Sequence, residues 1–175
     1  NELDYGRKLY LIENCIYGVD IQPIAVQIAK LRFFISLIVD QRVDDSRENR
    51  NIRPLPNLET KFVAANTLIG LEKPAQMMLR NLEVVALEDQ LKRLRQKHFS
   101  ARTRAQKQRI QLQDKGIREQ LRRLLVSDGW APENAAKLAA WDPYQANVSS
   151  PFFDPEWMFG VSDGFDVVIG NPPYI

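Results

Sequence analysis

Three short apolar runs, each ending in a polar residue, constrain this chain more than any other feature. Cys15-Ile16-Tyr17-Gly18-Val19-Asp20 ends in an acid, Lys61-Phe62-Val63-Ala64-Ala65-Asn66 in an amide, and Phe165-Asp166-Val167-Val168-Ile169-Gly170-Asn171 in a second amide. Runs of this kind are strands buried on both faces, as in parallel sheets covered by helices. The stretch after the first run reads as such a helix. Gln22-Pro23 sets its start, since the missing N–H of Pro is not needed there. Ile24, Ile28, Leu31, Ile35 and Ile38 then recur at three- and four-residue steps, predicting a helix over Ile24–Val39. Strand, helix, strand predicts an α/β fold with a parallel sheet. Ligand sites in open sheets lie outside the carboxyl ends of the strands. Asp20, Asn66 and Asn171 are therefore expected on one rim, with Phe165–Ile169 as a third buried strand.

The rest of the chain organises around these runs. Glu2–Glu13 reads as a short helix with Leu3, Leu9 and Ile12 inward, and Asp40–Asn57, with Pro54 and Pro56, reads as a loop. From Ala75 to Val126 there is no proline and only Gly116 among the glycines, while the helix formers Leu, Gln, Lys and Arg dominate. Leu82, Leu87, Leu91 and Leu94 form one stripe, and Ile117, Leu121 and Leu124 another. Two helices are expected, a hairpin arm broken near Ser100 or Gly116. Pro132–Trp141 reads as one more helix and Asn147–Glu156 as loop. The expected organisation is a core over 1–74, a helical insertion or arm over 75–150, and a return to the core over 151–175.

The net charge of +2 conceals an asymmetry. Leu91–Val126 holds twelve Lys and Arg against Asp114 and Glu119, a net +10, and the remainder carries −8. A basic segment on an acidic body suggests a polyanionic partner, the alternative being a solvated helix face. With 45% apolar and 26% charged residues, wholesale disorder is excluded. Apolar runs of at most four residues exclude a membrane-spanning helix. The opening residues do not resemble a secretory signal, and a single cysteine fits a reducing compartment, the cytoplasm. Cys15 reads as a small buried hydrophobe and His98, the only histidine, as solvated. No residue cluster has metal-ligand spacing. Asp45 with Glu59-Thr60-Lys61 faintly resembles a nuclease acid…Glu-x-Lys pattern, but the triplet is common by chance.

Asn171-Pro172-Pro173-Tyr174 is the element richest in chemistry. Pro172 has no N–H and a fixed φ, so its carbonyl can act as a rigid, pure acceptor. The Asn171 side-chain carbonyl is a second acceptor beside it. Two acceptors match the two hydrogens of an –NH2 group. Tyr174 adds a face on which a planar base can stack, worth roughly 1–3 kcal/mol. As a bare tetrapeptide this is an ordinary turn; directly after an apolar strand-like run it points to an amino group on a heteroaromatic ring.

Gly170-Asn171-Pro172-Pro173-Tyr174 resembles the catalytic motif of S-adenosylmethionine-dependent amino-methyltransferases. Ile16–Leu31 resembles the strand-two region of a narrower group, the adenine-specific DNA methylases of restriction–modification systems, particularly single-chain type II enzymes. Phe62-Val63-Ala64-Ala65-Asn66-Thr67-Leu68 sits where that family has its third motif. The resemblance covers about Leu11–Gly70 and Asp154–Ile175. It implies a partial Rossmann-like methyltransferase fold, strands two to four, interrupted by the basic helical insertion. It also implies S-adenosylmethionine as cofactor. Asp20 would accept from the ribose hydroxyls, Ile21 would pack on the cofactor's adenine, and Asn66, where the family often has Asp, would accept from its amino group with Thr67 alongside. Asn171, Pro172, Pro173 and Tyr174 would receive an adenine flipped out of double-stranded DNA, and the arm over 91–126 would hold phosphates. The family's glycine-rich cofactor loop should precede Asp20, yet Gly6 is the only glycine ahead of that strand. The family's first strand, central in its sheet, has no counterpart here. The expectation is a fragment of a larger enzyme that alone binds cofactor poorly and does not methylate. A nucleic-acid- or protein-binding helical module without catalysis, an RNA or protein amino-methyltransferase and, resting on Asp20 alone, a dinucleotide oxidoreductase are the alternatives.

Overall fold

A computed structural model describes residues 2–74 and 81–171. Helix α1 (Glu2–Asn14) leads into strand β1 (Gly18–Asp20), helix α2 (Pro23–Val39), an irregular segment with a 3-10 turn at Glu48–Asn51, and strand β2 (Phe62–Ala64). Four helices follow: α3 (Leu82–Phe99), α4 (Arg104–Ser127), α5 (Pro132–Ala140) and α6 (Pro155–Phe159). Strands β1 and β2 pair in parallel, with Gly18 opposite Phe62, Val19 opposite Val63 and Asp20 opposite Ala64. Helix α2 joins them and packs on both.

Local chemistry explains these limits. Pro23 occupies the first turn of α2. The Asn81 side chain caps α3 by accepting from the Glu83 amide at 2.9 Å. Thr103 and Gln106 form a reciprocal capping box at the start of α4. Ser100 marks the break between the two long helices, while Gly116 lies inside α4. Gly18 is required by packing: a Cβ there would sit 2.4 Å from Phe62 Cδ1.

Strand β2 is buried on both faces, which is why its sequence is continuously apolar. Val63 and Ala65 enter a core with Leu91, Ile117, Leu121, Trp130, Leu138, Trp157 and Met158. Phe62 and Ala64 face a second cluster with Tyr5, Ile12, Val26, Leu37, Leu58 and Phe99. The long helices are fastened by a buried ionic triad. Asp114 is fully buried and accepts from Arg95 Nε at 3.0 Å and Arg118 Nε at 2.6 Å. The guanidinium groups also donate to the Trp157, Ala139 and Trp141 carbonyls at 2.6–2.7 Å. The Tyr144 hydroxyl donates to the same carboxylate at 3.3 Å, and its pKa is driven far upward by burial and by that negative charge.

Several expectations are corrected. Phe165–Ile169 is not a strand: it has no regular structure, and Val167, Val168 and Ile169 are 75%, 81% and 92% exposed. A strand exists only through a ladder, and among the described residues 162–171 make no backbone hydrogen bond. Only Phe165 is anchored, its ring 5.7 Å from Tyr17 and 6.4 Å from Phe159. Asn171 therefore does not join Asp20 and Asn66 as the end of a third strand. His98 is buried, not solvated, because α3 turns it inward against the Tyr144 ring at 4.8 Å. Cys15 is exposed, since the turn between α1 and β1 leaves it outside the core. Leu3 is exposed as well, whereas Ile12 is buried and Leu9 half-buried on α1. Helix α2 buries Val26, Lys30 and Leu37, so the stripe Ile24, Ile28, Leu31, Ile35 and Ile38 lies on its exposed side.

Candidate cofactor and amino-group site

The parallel register fixes the site. Asp20 closes β1 opposite Ala64 of β2, and Asn66 stands two residues beyond Ala64, so both emerge at the same end of adjacent strands. The backbone binds the two ends together: the Ala65 amide donates to the Asp20 carbonyl at 2.9 Å.

Each side chain is held by a local turn. Asp20 Oδ1 accepts from the Gln22 amide at 2.8 Å, which pins the carboxylate at the entry to α2 while leaving it exposed. Ile21 is 58% exposed on the same turn, an apolar surface beside an acid. Asn66 is half-buried, and its Oδ1 accepts from the Leu68 amide at 3.1 Å. An amide oxygen has two lone pairs, so one acceptor position remains. The Asn66 amide donates to the Ser150 carbonyl at 3.0 Å, and Ser150 in turn donates to Ala64 at 2.8 Å, so the 147–153 segment braces this end of β2. Thr67 and Leu68 are exposed next to it. The rim thus offers a carboxylate suited to a diol, an amide acceptor and apolar contact surface.

Asn171 is exposed at the limit of the described residues, and Pro172, Pro173 and Tyr174 lie outside them. The nuclease-like set is not assembled. Asp45 pairs with Arg50 at 2.6 Å in an exposed turn, and Lys61 is buried with its ammonium 4.2 Å from the Tyr17 ring centre. Burial lowers the Lys61 pKa. A cleft lined by Tyr17, Lys61, Lys92, Arg95 and Trp157 opens at the amino ends of the strands, opposite the Asp20–Asn66 rim.

A family model described as Eco57I restriction-modification methylase matches residues 14–175. The chain belongs to that family. A Methanocaldococcus jannaschii protein named for a type II restriction enzyme and methyltransferase is 43% identical over 70 residues. That match takes in 39% of this chain and 6% of the relative's length. No solved structure matches.

Sequence reasoning did not single out the Arg95–Asp114–Arg118 triad that makes this Eco57I-family hairpin one body with the core. Part of it was readable, since Asp114 and Arg118 stand four apart on one helix face. Arg95 comes from another helix, and no spacing announces it. Nor was the buried setting of His98 foreseen. Its Nδ1 lies 3.8 Å from Glu59, and burial lowers its pKa.

Proposed function

We propose that this chain carries the cofactor rim and the amino-group acceptors of a DNA adenine N6-methyltransferase. The observation that carries the reading is the parallel β1–β2 register, which brings Asp20 and, two residues past its partner Ala64, Asn66 to the same carboxyl edge in a methylase-family chain. The residues present fit S-adenosylmethionine. The exposed Asp20 carboxylate suits the ribose hydroxyls, Ile21 the face of the adenine, and the free acceptor position of Asn66, beside Thr67, its amino group. When bound, that cofactor supplies a sulfonium methyl as electrophile.

The acceptors act on the receiving nitrogen. An adenine amino group is a poor nucleophile because its lone pair is delocalised into the ring. The Asn171 side-chain carbonyl and the Pro172 carbonyl would accept from its two N–H groups, favour a pyramidal nitrogen and stabilise the positive charge that grows as the N–C bond forms and the methyl–sulfonium bond breaks to leave a neutral thioether, after which the nitrogen sheds one N–H proton. Interactions that strengthen with developing charge act mainly on the transition state. Pro173 keeps the corner stiff and Tyr174 stacks on the base. The base leaves its duplex to reach this corner, at a cost of a few kcal/mol. The basic hairpin supports a DNA substrate over a protein one.

The test is nucleoside analysis of duplex DNA after incubation of the complete protein with S-adenosylmethionine. N6-methyladenine is expected. Asn171→Ala should lower its rate by roughly 100-fold or more while leaving cofactor affinity unchanged. Normal turnover by Asn171→Ala, or methyl groups found on other atoms or only on RNA or protein, would refute the reading.

A further inference from the structure

The positive charge of the α3–α4 hairpin is unevenly compensated. Between Gln90 and Gln113 there are eight Lys and Arg and no acid. Arg95 is held by Asp114, and Lys92 Nζ donates to the Gly160 carbonyl at 2.8 Å. The other six, Arg93, Lys97, Arg102, Arg104, Lys107 and Arg109, make no ion pair among the described residues. All are exposed except the half-buried Lys107. Beyond Gln113 the pattern reverses. Arg118 pairs with Asp114 and Asp142, and Arg122 and Arg123 pair with Glu119 at 2.7 and 3.9 Å. The hairpin therefore has a bare tip, whereas three of the four cations at its base, all but Lys115, have a carboxylate partner.

The bare tip is also rigid. Buried Asn57 donates from Nδ2 to the His98 and Ala101 carbonyls, both at 2.7 Å, clamping the turn between the helices. The Gln106 side chain accepts from the Arg102 and Thr103 amides at 3.1 and 3.2 Å, fixing the residues that carry the first cations of α4. Six like charges collected on one rigid turn repel one another, and the acids that would relieve them are present in α4 but lie at the other end. Fixed, uncompensated cations are suited to phosphates, whose neutralisation releases condensed counterions.

We propose that the hairpin tip, Arg93 to Arg109, is the surface that docks on the phosphate backbone of duplex DNA, and that the base is a structural fastening. This rests on the DNA reading above and narrows it to one end of the arm. The base arginines Arg118, Arg122 and Arg123 already have carboxylate partners, and a phosphate would have to displace them.

Two double variants of the complete protein separate tip from base at equal loss of charge: Arg104→Gln and Arg109→Gln, against Arg122→Gln and Arg123→Gln. Binding to a fluorescent duplex is followed by anisotropy over a range of NaCl concentrations, with circular dichroism checking that both variants keep their helices. The tip variant should flatten the slope of log affinity against log salt by about 2, one for each lost phosphate contact. At 0.1 M salt its affinity should fall roughly 50-fold. The base variant should change the slope by less than about 1. Equal changes in the two variants would mean that net charge alone matters, and an unchanged tip variant would remove the tip from the interface; either overturns the proposal. Methyl transfer is scored separately. A wild type that methylates adenine while tip and base behave alike defeats only the docking surface. A tip-specific effect without methylation defeats only the catalytic reading.

Discussion

Phe62–Ala65 and Val167–Ile169 carry the same sequence signal and meet opposite fates. Both are apolar runs followed by an asparagine, yet the first is 1–9% exposed and the second 75–92%. Their composition does not separate them. What separates them is a neighbour. Strand β2 lies against β1 on one edge and bridges to Ser150 through Ala65. Residues 166–169 have no ladder, so nothing fixes their φ and ψ or covers their side chains. Strand formation is a property of a pair, and an apolar run states only the capacity to join one.

The contrast can be broken most severely by truncating each run. Phe62→Ala removes a ring packed between α2 and the second core cluster, where Phe33 lies 4.8 Å away. It should cost about 3–5 kcal/mol in urea unfolding. Ile169→Ala should change stability by no more than about 0.5 kcal/mol. Similar losses for both would mean that the two runs are equally packed.

A smaller effect comes through pH. His98 packs behind Glu59, at the approach to β2, and Lys107 and Asp114 also act on it. Burial lowers its folded-state pKa below the ordinary value of about 6.5, with Glu59 opposing the shift. The folded state therefore binds fewer protons than the unfolded chain. The stability this confers is complete above about pH 6.5 and is lost as pH falls from there through the lower folded-state value. The urea midpoint should drop over that acid limb in the wild type and drop less in His98→Gln. Ile169→Ala should leave the limb as it is in the wild type, since 165–171 takes no part in the His98 cluster. An acid limb unchanged in His98→Gln would assign it to other groups.

Much of the fold was legible where local chemistry decides. Pro23 and Pro132 begin helices, the proline-free stretch became the two long helices, and the weak helix signal around Ser100 became their turn. The emergence of Asp20 and Asn66 at one sheet edge was legible for the same reason, because a strand–helix–strand order implies parallel neighbours with ends on one side. What was not legible depends on partners distant in sequence. The inward face of α2 could not be read because that helix is apolar nearly all round, and its regular isoleucine stripe proved to be the exposed one. His98 is buried by Tyr144, and Arg95 by Asp114, across separate elements.

Hydrogen exchange followed residue by residue reads the comparison most directly. The amides of Gly18, Phe62, Ala65 and Asn66 each donate to a backbone carbonyl, and should exchange slowly, at rates near those of the α3–α4 core. The amides of Asp166 to Ile169 should exchange close to the rate of an unstructured chain. Slow exchange across 166–169, matching that of β2, would contradict the claim that a missing neighbour, and not a missing signal, keeps this segment out of the sheet.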